Sequence, residues 1–418
     1  MKKICVMVCA LLLCASTAGA DVISDWNIQT GQRVGTPPAR RGPSGSLDFA
    51  VVHLAMHDAV QAFERRYQAY CVTIPNASGS PVAAASKAAR DVLVGLFPAQ
   101  TAAIDTAYAG FSANYISQGL MVANDPGEAV GALAAKCILD RRLDADNAKR
   151  NTPDTFVGGT GVGQWRPTNS PPTPMVVEFM ATVTPFAMKA PDQFRINNPP
   201  PDTTSDTYTT AYNEVKEKGS AAVTNTRTYE EDQIARFFAD GPANYWNRLM
   251  RDLVVNQSLD LGDSARMFAL VSMATADALI AAWDSKIAYN FWRPVTAIRL
   301  GDTDGNPATV GDAGWTPYFN TPNYPDYTSG ANNASGATTT VLESLLGHHV
   351  EFRLFSNTAG ALPRDYTTFA QVARDVVDAR VFMGIHFRFA DTTAMRQGDH
   401  VARWTLTRFL RPIGGSQD

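Results

Sequence analysis

KIAYNFWRP (286–294), YPDYTSGANNASG (324–336) and ARVFMGIHFRF (379–389) are three separated pieces of the C-terminal third. Their polar residues are of the kinds that a protein gathers around an oxyanion. Lys286, Arg293 and Arg380 supply positive charge, Ser329 a hydroxyl, Gly330 an approachable backbone N–H, and His386 an imidazole able to bond a central atom. Lys286 and Arg293 lie seven apart, two turns of helix, so both project from one face if the helix runs on. Trp283 and Asn290 share that face. Arginine offers a planar fork of donors suited to two oxyanion oxygens, and lysine a mobile point charge. Taken alone, such a pair usually forms a solvated helix face.

Ser329-Gly330 precedes a run, Ala331 to Leu346, that reads as helix. A helix N-terminus presents unpaired N–H groups and partial positive charge, which favour an anion. Gly330 lets the backbone approach closely. The same Thr-Ser-Gly is also an ordinary helix start, with Thr328 or Ser329 as N-cap. Arg380 and His386 are six apart, about 120° from each other's face on a straight helix. Gly384 between them marks a change of direction. A histidine flanked by Ile385 and Phe387 also fits a satisfied core residue. The pieces gain meaning together.

In their order, their internal spacings of seven and six, and their Arg-Pro and Ser-Gly dipeptides, they resemble the signature of the vanadium-dependent haloperoxidase and type 2 phosphatidic acid phosphatase superfamily. VVHLAMHDAVQAFERRYQAY (51–70) and YEEDQIARFFADGPANYWNR (229–248) look like its soluble bacterial branch. The resemblance implies a mostly α fold of paired helical bundles. It also implies that Lys286, Arg293, Ser329, Gly330 and Arg380 hold the equatorial oxygens of vanadate, or of phosphate in its place. His386 then becomes the axial vanadium ligand, or the nucleophile of a metal-free acid phosphatase. Trp283 and Tyr324 fall where the family often has aromatic groups near the halide. Hydrogen peroxide, halide or a phosphate ester are the implied small-molecule partners, with Lys286 polarising the peroxide and halide attack yielding hypohalous acid.

One position departs from that pattern. After Ser-Gly the family carries a histidine that acts as acid–base; here the residue is Ala331. His348 and His349 stand at the far end of the predicted helix, roughly 25 Å away at about 1.5 Å per residue. A positioned acid–base contributes about 10²–10⁴-fold in rate, so weak or altered turnover is expected, and a non-catalytic oxyanion-binding protein is a further alternative. The aspartate often found four after the last histidine appears at five, as Asp391.

Residues 1–20 read as a signal peptide: Lys2 and Lys3, an apolar stretch from Ile4 to Ala15, then Ala18-Gly19-Ala20 as a cleavage site. That stretch is too short for a membrane span, and Leu13 before Cys14 argues against a lipid anchor. The expectation is an exported, periplasmic or secreted protein. The formal net charge of −4 becomes −6 once Lys2 and Lys3 are removed, leaving no electrostatic case for nucleic acid. Cys71 and Cys137 remain after cleavage; a disulfide is permitted but not required.

Beyond the signal, 21–255 read as an N-terminal helical region and 256–418 as a C-terminal helical region carrying the oxyanion site. Helical periodicity marks 47–64, 82–97, 127–142, 206–218 and 263–290, and Thr228 with Glu231 forms a capping box. The stretch 263–290 holds Asp277 and reads as buried rather than membrane-spanning. Residues 150–205 contain ten of the 25 prolines and read as an ordered excursion wrapping the bundle or roofing a pocket. His53 and His57, four apart, look like a metal pair but lack an accompanying HExxH, so core hydrogen bonding is the expectation. GDTDGNPATVGDAG (301–314) reads as a turn-rich surface loop rather than a calcium site.

Overall fold

The computed structural model describes residues 21–414; the predicted signal segment, 1–20, lies outside them. In chain order the helices are α1 (Val22–Gly35), α2 (Gly45–Glu64), α3 (Pro81–Leu96), α4 (Thr101–Ser117) and α5 (Gly127–Arg150). They continue as α6 (Asp206–Lys218), α7 (Tyr229–Phe237), α8 (Pro242–Asn256), α9 (Leu261–Tyr289) and α10 (Pro294–Arg299). The last are α11 (Gly330–Leu346), α12 (Phe369–Phe382) and α13 (Arg388–Arg408). Sheet is confined, among the described residues, to an antiparallel pair, β1 (Phe352–Leu354) and β2 (Arg364–Tyr366), with Arg353 opposite Asp365. The fold is mostly α.

α9 is the axle. It packs against α2 on the N-terminal side and against α11 and α13 on the C-terminal side. Its 29 residues are apolar enough to cross a membrane, but 89% of that apolar window is buried in protein. Asp277 shows why a carboxylate sits there: it accepts the N–H groups of Phe186, Ala187 and Met188 at 2.7–2.8 Å. Those three donors belong to the proline-rich excursion, so a buried acid pins an irregular segment to the core helix. Trp165 N donates to Asn290 O and Trp292 N to Gly163 O, tying the excursion to the turn after α9. The excursion is an ordered wrap.

Local signals explain the remaining elements. Thr228 and Glu231 form the reciprocal cap of α7, and Thr368 with Gln371 repeats it on α12. α5 runs eight residues beyond the expected 142, its tail held by buried Arg142 against Asp146. α4 escaped the periodicity reading because only Ile104 and Tyr115 of its side chains are buried. Cys71 and Cys137 form a disulfide that fastens the segment after α2 to α5. His53 and His57 are hydrogen-bonded core residues: Nδ1 of His53 lies 2.7 Å from Ser272 Oγ, and Nε2 of His57 lies 3.1 Å from Gln68 O. In the loop 301–314, Asp304 accepts from Thr309 Oγ1 and Asn306 N, which spends its carboxylate on the turn itself.

Candidate oxyanion site

Lys286 sits in the last turn of α9 and is fully buried, its Nζ donating to Pro325 O at 2.7 Å and Asp326 O at 3.1 Å. The helix does not continue to Arg293. Asn290 adopts a left-handed conformation, φ 45°, and caps α9. Arg293 is instead the N-cap of α10. The expectation of one shared helix face is therefore corrected: a chain reversal, not helical spacing, brings the guanidinium to the ammonium. Arg293 Nε donates to Tyr324 O at 2.7 Å, and Nη1 to Ile385 O at 2.6 Å and to His386 Nε2 at 3.0 Å.

Ser329 is the N-cap of α11, yet its side chain accepts no capping hydrogen bond. Its Oγ instead receives Asn332 Nδ2 at 3.3 Å, and the same amide donates to Asp391 Oδ1 at 2.7 Å. The first N–H groups of α11 have no intrahelical partner. Gly330 packs closely against Trp283: a Cβ there would stand 3.0 Å from the ring, a tight contact. α12 ends at Phe382 and α13 begins at Arg388, with Gly384 at φ +77° turning the chain between them. A Cβ on Gly384 would meet Gly219 O at 2.3 Å. That reversal carries His386 back over the site while Arg380 approaches from the end of α12.

Electrostatics follow from this burial. Desolvation, and then Arg293, push the Lys286 ammonium well below its usual range. The same two causes push His386 well below 6.5, leaving a neutral imidazole. Burial raises Asp326 to about 7 and, with the neighbouring Asp326 charge, lifts Asp391 well above the carboxylate range. Arginine keeps its charge in proteins. Two guanidiniums thus stay charged in a site where burial disfavours the charged form of both acids. Tyr324 faces both cations, its ring centroid 4.8 Å from Lys286 Nζ and 4.6 Å from Arg293 Cζ, and lies 5.0 Å from the Trp283 ring.

The structure brings all six oxyanion-type residues together and sets Trp283 and Tyr324 beside them. It also adds residues that the sequence reading assigned no role. Asp326 Oδ1 lies 2.8 Å from His386 Nδ1 and 3.7 Å from Arg293 Nη1. Asn332 bridges Ser329 and Asp391. The signal for Asp326 was its place two before Thr328 in a quoted motif; the signal for Asn332 was absent. His348, just past α11, pairs with Glu343 near the C-terminal end of that helix. Ala331 lines a cavity together with Gly330, Arg380, Trp283 and Tyr324, whereas Lys286, Arg293, Ser329 and His386 are buried and do not line it.

A tetrahedral oxyanion fits these groups. Arg293 Nη2 and Arg380 Nε are buried donors without a partner in the protein, and buried guanidinium N–H groups are costly to leave unpaired. An oxyanion offers acceptors for both and negative charge for the cluster.

Residues 266–415 match the family model of the VCPO second helical-bundle domain. A vanadium chloroperoxidase from Curvularia inaequalis is 34% identical over 115 residues, 23% of this chain and 18% of that protein's length. A crystal structure described as the first bacterial vanadium-dependent iodoperoxidase aligns with TM-score 0.81 at 22% identity, over 95% of this chain and 98% of that one. The apo form of a bacterial vanadium-dependent chloroperoxidase aligns with TM-score 0.68 at 17% identity, over 91% and 96%. At these identities the structures speak for the fold, and the C-terminal match speaks for descent. The order and spacing of 286–391 thus fall within a region similar to the VCPO second helical-bundle domain, on a fold shared with bacterial vanadium-dependent haloperoxidases.

Proposed function

We propose that this protein is an exported, vanadate-dependent peroxidase acting on halide, with turnover shaped by Ala331. The observation that carries the reading is the pair of buried, unpartnered guanidinium donors, Arg293 Nη2 and Arg380 Nε, beside a neutral His386. Bound vanadate would supply Lewis-acid activation of hydrogen peroxide toward halide. Arg293, Arg380 and Lys286 would hold its oxygens, and Ser329 Oγ and the Gly330 N–H would add hydrogen bonds. His386 would offer its imidazole as the ligand, burial keeping the ring neutral. Trp283 and Tyr324 present aromatic faces where halide arrives. The overall change is peroxide, halide and a proton giving hypohalous acid and water. Ala331 carries no proton, so the proton must come from solvent or a buried acid.

Asp326 favours a second reading. A carboxylate 2.8 Å from Nδ1, with its pKa raised to about 7, could support His386 as the nucleophile of a metal-free acid phosphatase. Purification with and without orthovanadate separates the two, with monochlorodimedone bromination and p-nitrophenyl phosphate hydrolysis as assays. Vanadate-dependent bromination supports the first. Vanadate-inhibited hydrolysis replaces it with the second, and tight binding without turnover replaces both with an oxyanion-binding protein. The division at residues 255 and 256 is retained as part of this proposal, with α9 opening the site-bearing half. Export is supported by the Cys71–Cys137 bond, because such bonds persist in oxidising compartments. Mass spectrometry of the protein from its host is expected to find a mature N-terminus at or near Asp21; a full-length cytoplasmic product would contradict export.

A further inference from the structure

Asp391 lies in the first turn of α13 and is fully buried. It stands five residues after His386, one beyond the place common in the family it resembles, and one residue is about 100° around a helix. The contact to His386 Nδ1, at 2.8 Å, belongs to Asp326. The Asp391 carboxyl faces α11 instead. Its Oδ1 accepts from Asn332 Nδ2 at 2.7 Å, and the same amide reaches Ser329 Oγ at 3.3 Å. The Ser329 hydroxyl also acts on the carboxyl. Asp391 Oδ2 is buried and meets no donor in the protein. An ionised carboxylate can only accept, and burying one without donors is costly; a carboxylic acid carries its own proton on such an oxygen.

Three charged groups face this carboxyl. Asp326, before α11, disfavours its ionisation; Arg380 on α12 and Lys286 on α9 favour it. Burial outweighs the cations and holds the group well above the carboxylate range. Ser329 is suited to pass that proton on. As the N-cap of α11 it accepts no capping N–H, and a hydroxyl can give one proton while it takes another.

We propose that Asp391 supplies, through Ser329, the proton that no side chain at position 331 can give. Delivery to peroxide rests on the peroxidase reading and names the buried acid which that reading requires. The Asp391 O–H bond breaks as a bond forms to Ser329 Oγ, and the Ser329 O–H breaks as its proton passes to the departing oxygen of hydrogen peroxide. Peroxide is the oxidant and halide is oxidised. The O–O bond breaks, one oxygen bonds the halide as hypohalous acid, and the other leaves with the transferred proton as water. Asp391 is left as a carboxylate, held by the Asn332 N–H and the Arg380 charge until solvent returns a proton through the same hydroxyl. Asp391 touches no reacting atom and is a positioning residue for the proton. Its path is longer than one from an imidazole at 331, so turnover is slower than with that imidazole.

Infrared difference spectra of vanadate-free native protein and Asp391→Asn test the resting proton without turnover. At neutral pH the native protein should show a carboxylic-acid C=O band that the variant lacks; loss of carboxylate bands alone overturns the proposal. Orthovanadate should bind both proteins equally, because asparagine keeps the shape and neutrality of the acid; weaker binding by the variant makes Asp391 structural. Bromination should fall about 10²-fold in Asp391→Asn, the lower end for a positioned acid–base, with KM for bromide unchanged. The alkaline fall in the native pH profile, where the carboxyl loses its proton, should vanish in the variant, and Asp391→Glu should keep part of the rate. In an Ala331→His background, Asp391→Asn should leave turnover near that of Ala331→His alone, since the imidazole then gives the proton. A loss under about tenfold, or one that Ala331→His does not restore, overturns the relay. If Asp391→Asn does not fold, the native protein alone decides: the infrared band and the alkaline limb of bromination should share one midpoint, and separate midpoints overturn the relay. A native protein that shows the band but no bromination sinks the peroxidase reading and delivery to peroxide together, while Asp391 stands as a buried acid; bromination without the band sinks the relay and leaves the peroxidase reading intact.

Discussion

His53 and His386 are both buried, and burial lowers the pKa of both. His53 joins α2 to α9 through neutral partners, Ser272 Oγ and Asn27 Nδ2, so both ring nitrogens face matched groups. His386 stands among Arg293, Lys286, Arg380 and Asp326, and the unpartnered donors and acceptors of the region cluster around it. Those orphans include Arg293 Nη2, Arg380 Nε, Asp326 Oδ2 and Asp391 Oδ2. Burial alone therefore does not mark a functional histidine. Saturation separates this pair: His53 has its polar needs met inside the protein, and His386 sits where charge is assembled beside unpartnered donors.

The largest test of that contrast is His386→Ala. If His386 is ligand or nucleophile, turnover should fall on the order of 10⁴-fold or more, as when a central catalytic group is removed. A loss under about tenfold would demote His386 to the class of His53. Ala331→His comes next and runs in the opposite direction. Residue 331 lies on α11 beside Gly330 and lines the cavity with Arg380, so an imidazole there would stand next to the proposed oxyanion position. Bromide oxidation or phosphoester hydrolysis at mildly acidic pH should rise by up to about 10²–10⁴-fold. His386→Ala in that background should abolish the gain. If Ala331→His folds, binds vanadate and changes neither activity, the site has been rebuilt for other chemistry.

Much of this site was legible because short motifs carry backbone instructions. Ser329-Gly330 opens α11, and Gly384 reverses the chain between Arg380 and His386. What was not legible depends on the path between motifs. Two turns of helix seemed to join Lys286 to Arg293, but Asn290 ends α9 and the juxtaposition arises from α10 beginning at Pro294. Asp326 could not be placed, since its neighbour His386 is 60 residues away and no periodicity links them. α4 was missed for the reverse reason: a helix with so few buried side chains leaves little pattern.

The two arginines sharpen the comparison from the charge side. Arg293→Ala and Arg380→Ala should each weaken orthovanadate binding by about 10–150-fold, the loss of one charge-assisted hydrogen bond worth about 1.5–3 kcal/mol. They should differ in stability. Arg293 also serves Tyr324 O and Ile385 O, whereas the hydrogen bond that Arg380 makes within the protein is to Met383 Sδ at 3.5 Å. Thermal unfolding should thus drop further for Arg293→Ala. Unchanged vanadate titrations in both variants would remove these residues from the site.

The smallest effect belongs to His53 and appears as a pH slope. Its pKa is about 3 in the folded protein against 6.5 for the free side chain. Between those values the unfolded chain binds a proton that the native state refuses. The contribution of His53 is therefore complete above about pH 6.5 and is lost as pH falls. From pH 7 to pH 5 the native protein should lose about 2 kcal/mol through this residue. Buried Asp58 and Asp277, raised to about 6, act in the opposite sense over about pH 4–6, so the whole-protein slope mixes the two. His53→Gln isolates one of them, because glutamine can keep a donor toward Ser272 but cannot titrate. Denaturant unfolding at the two pH values should show the variant less stable at pH 7 yet about 2 kcal/mol less sensitive to acidification. Equal sensitivity in both proteins would mean that His53 takes up its proton inside the fold, and the contrast with His386 would lose its neutral half.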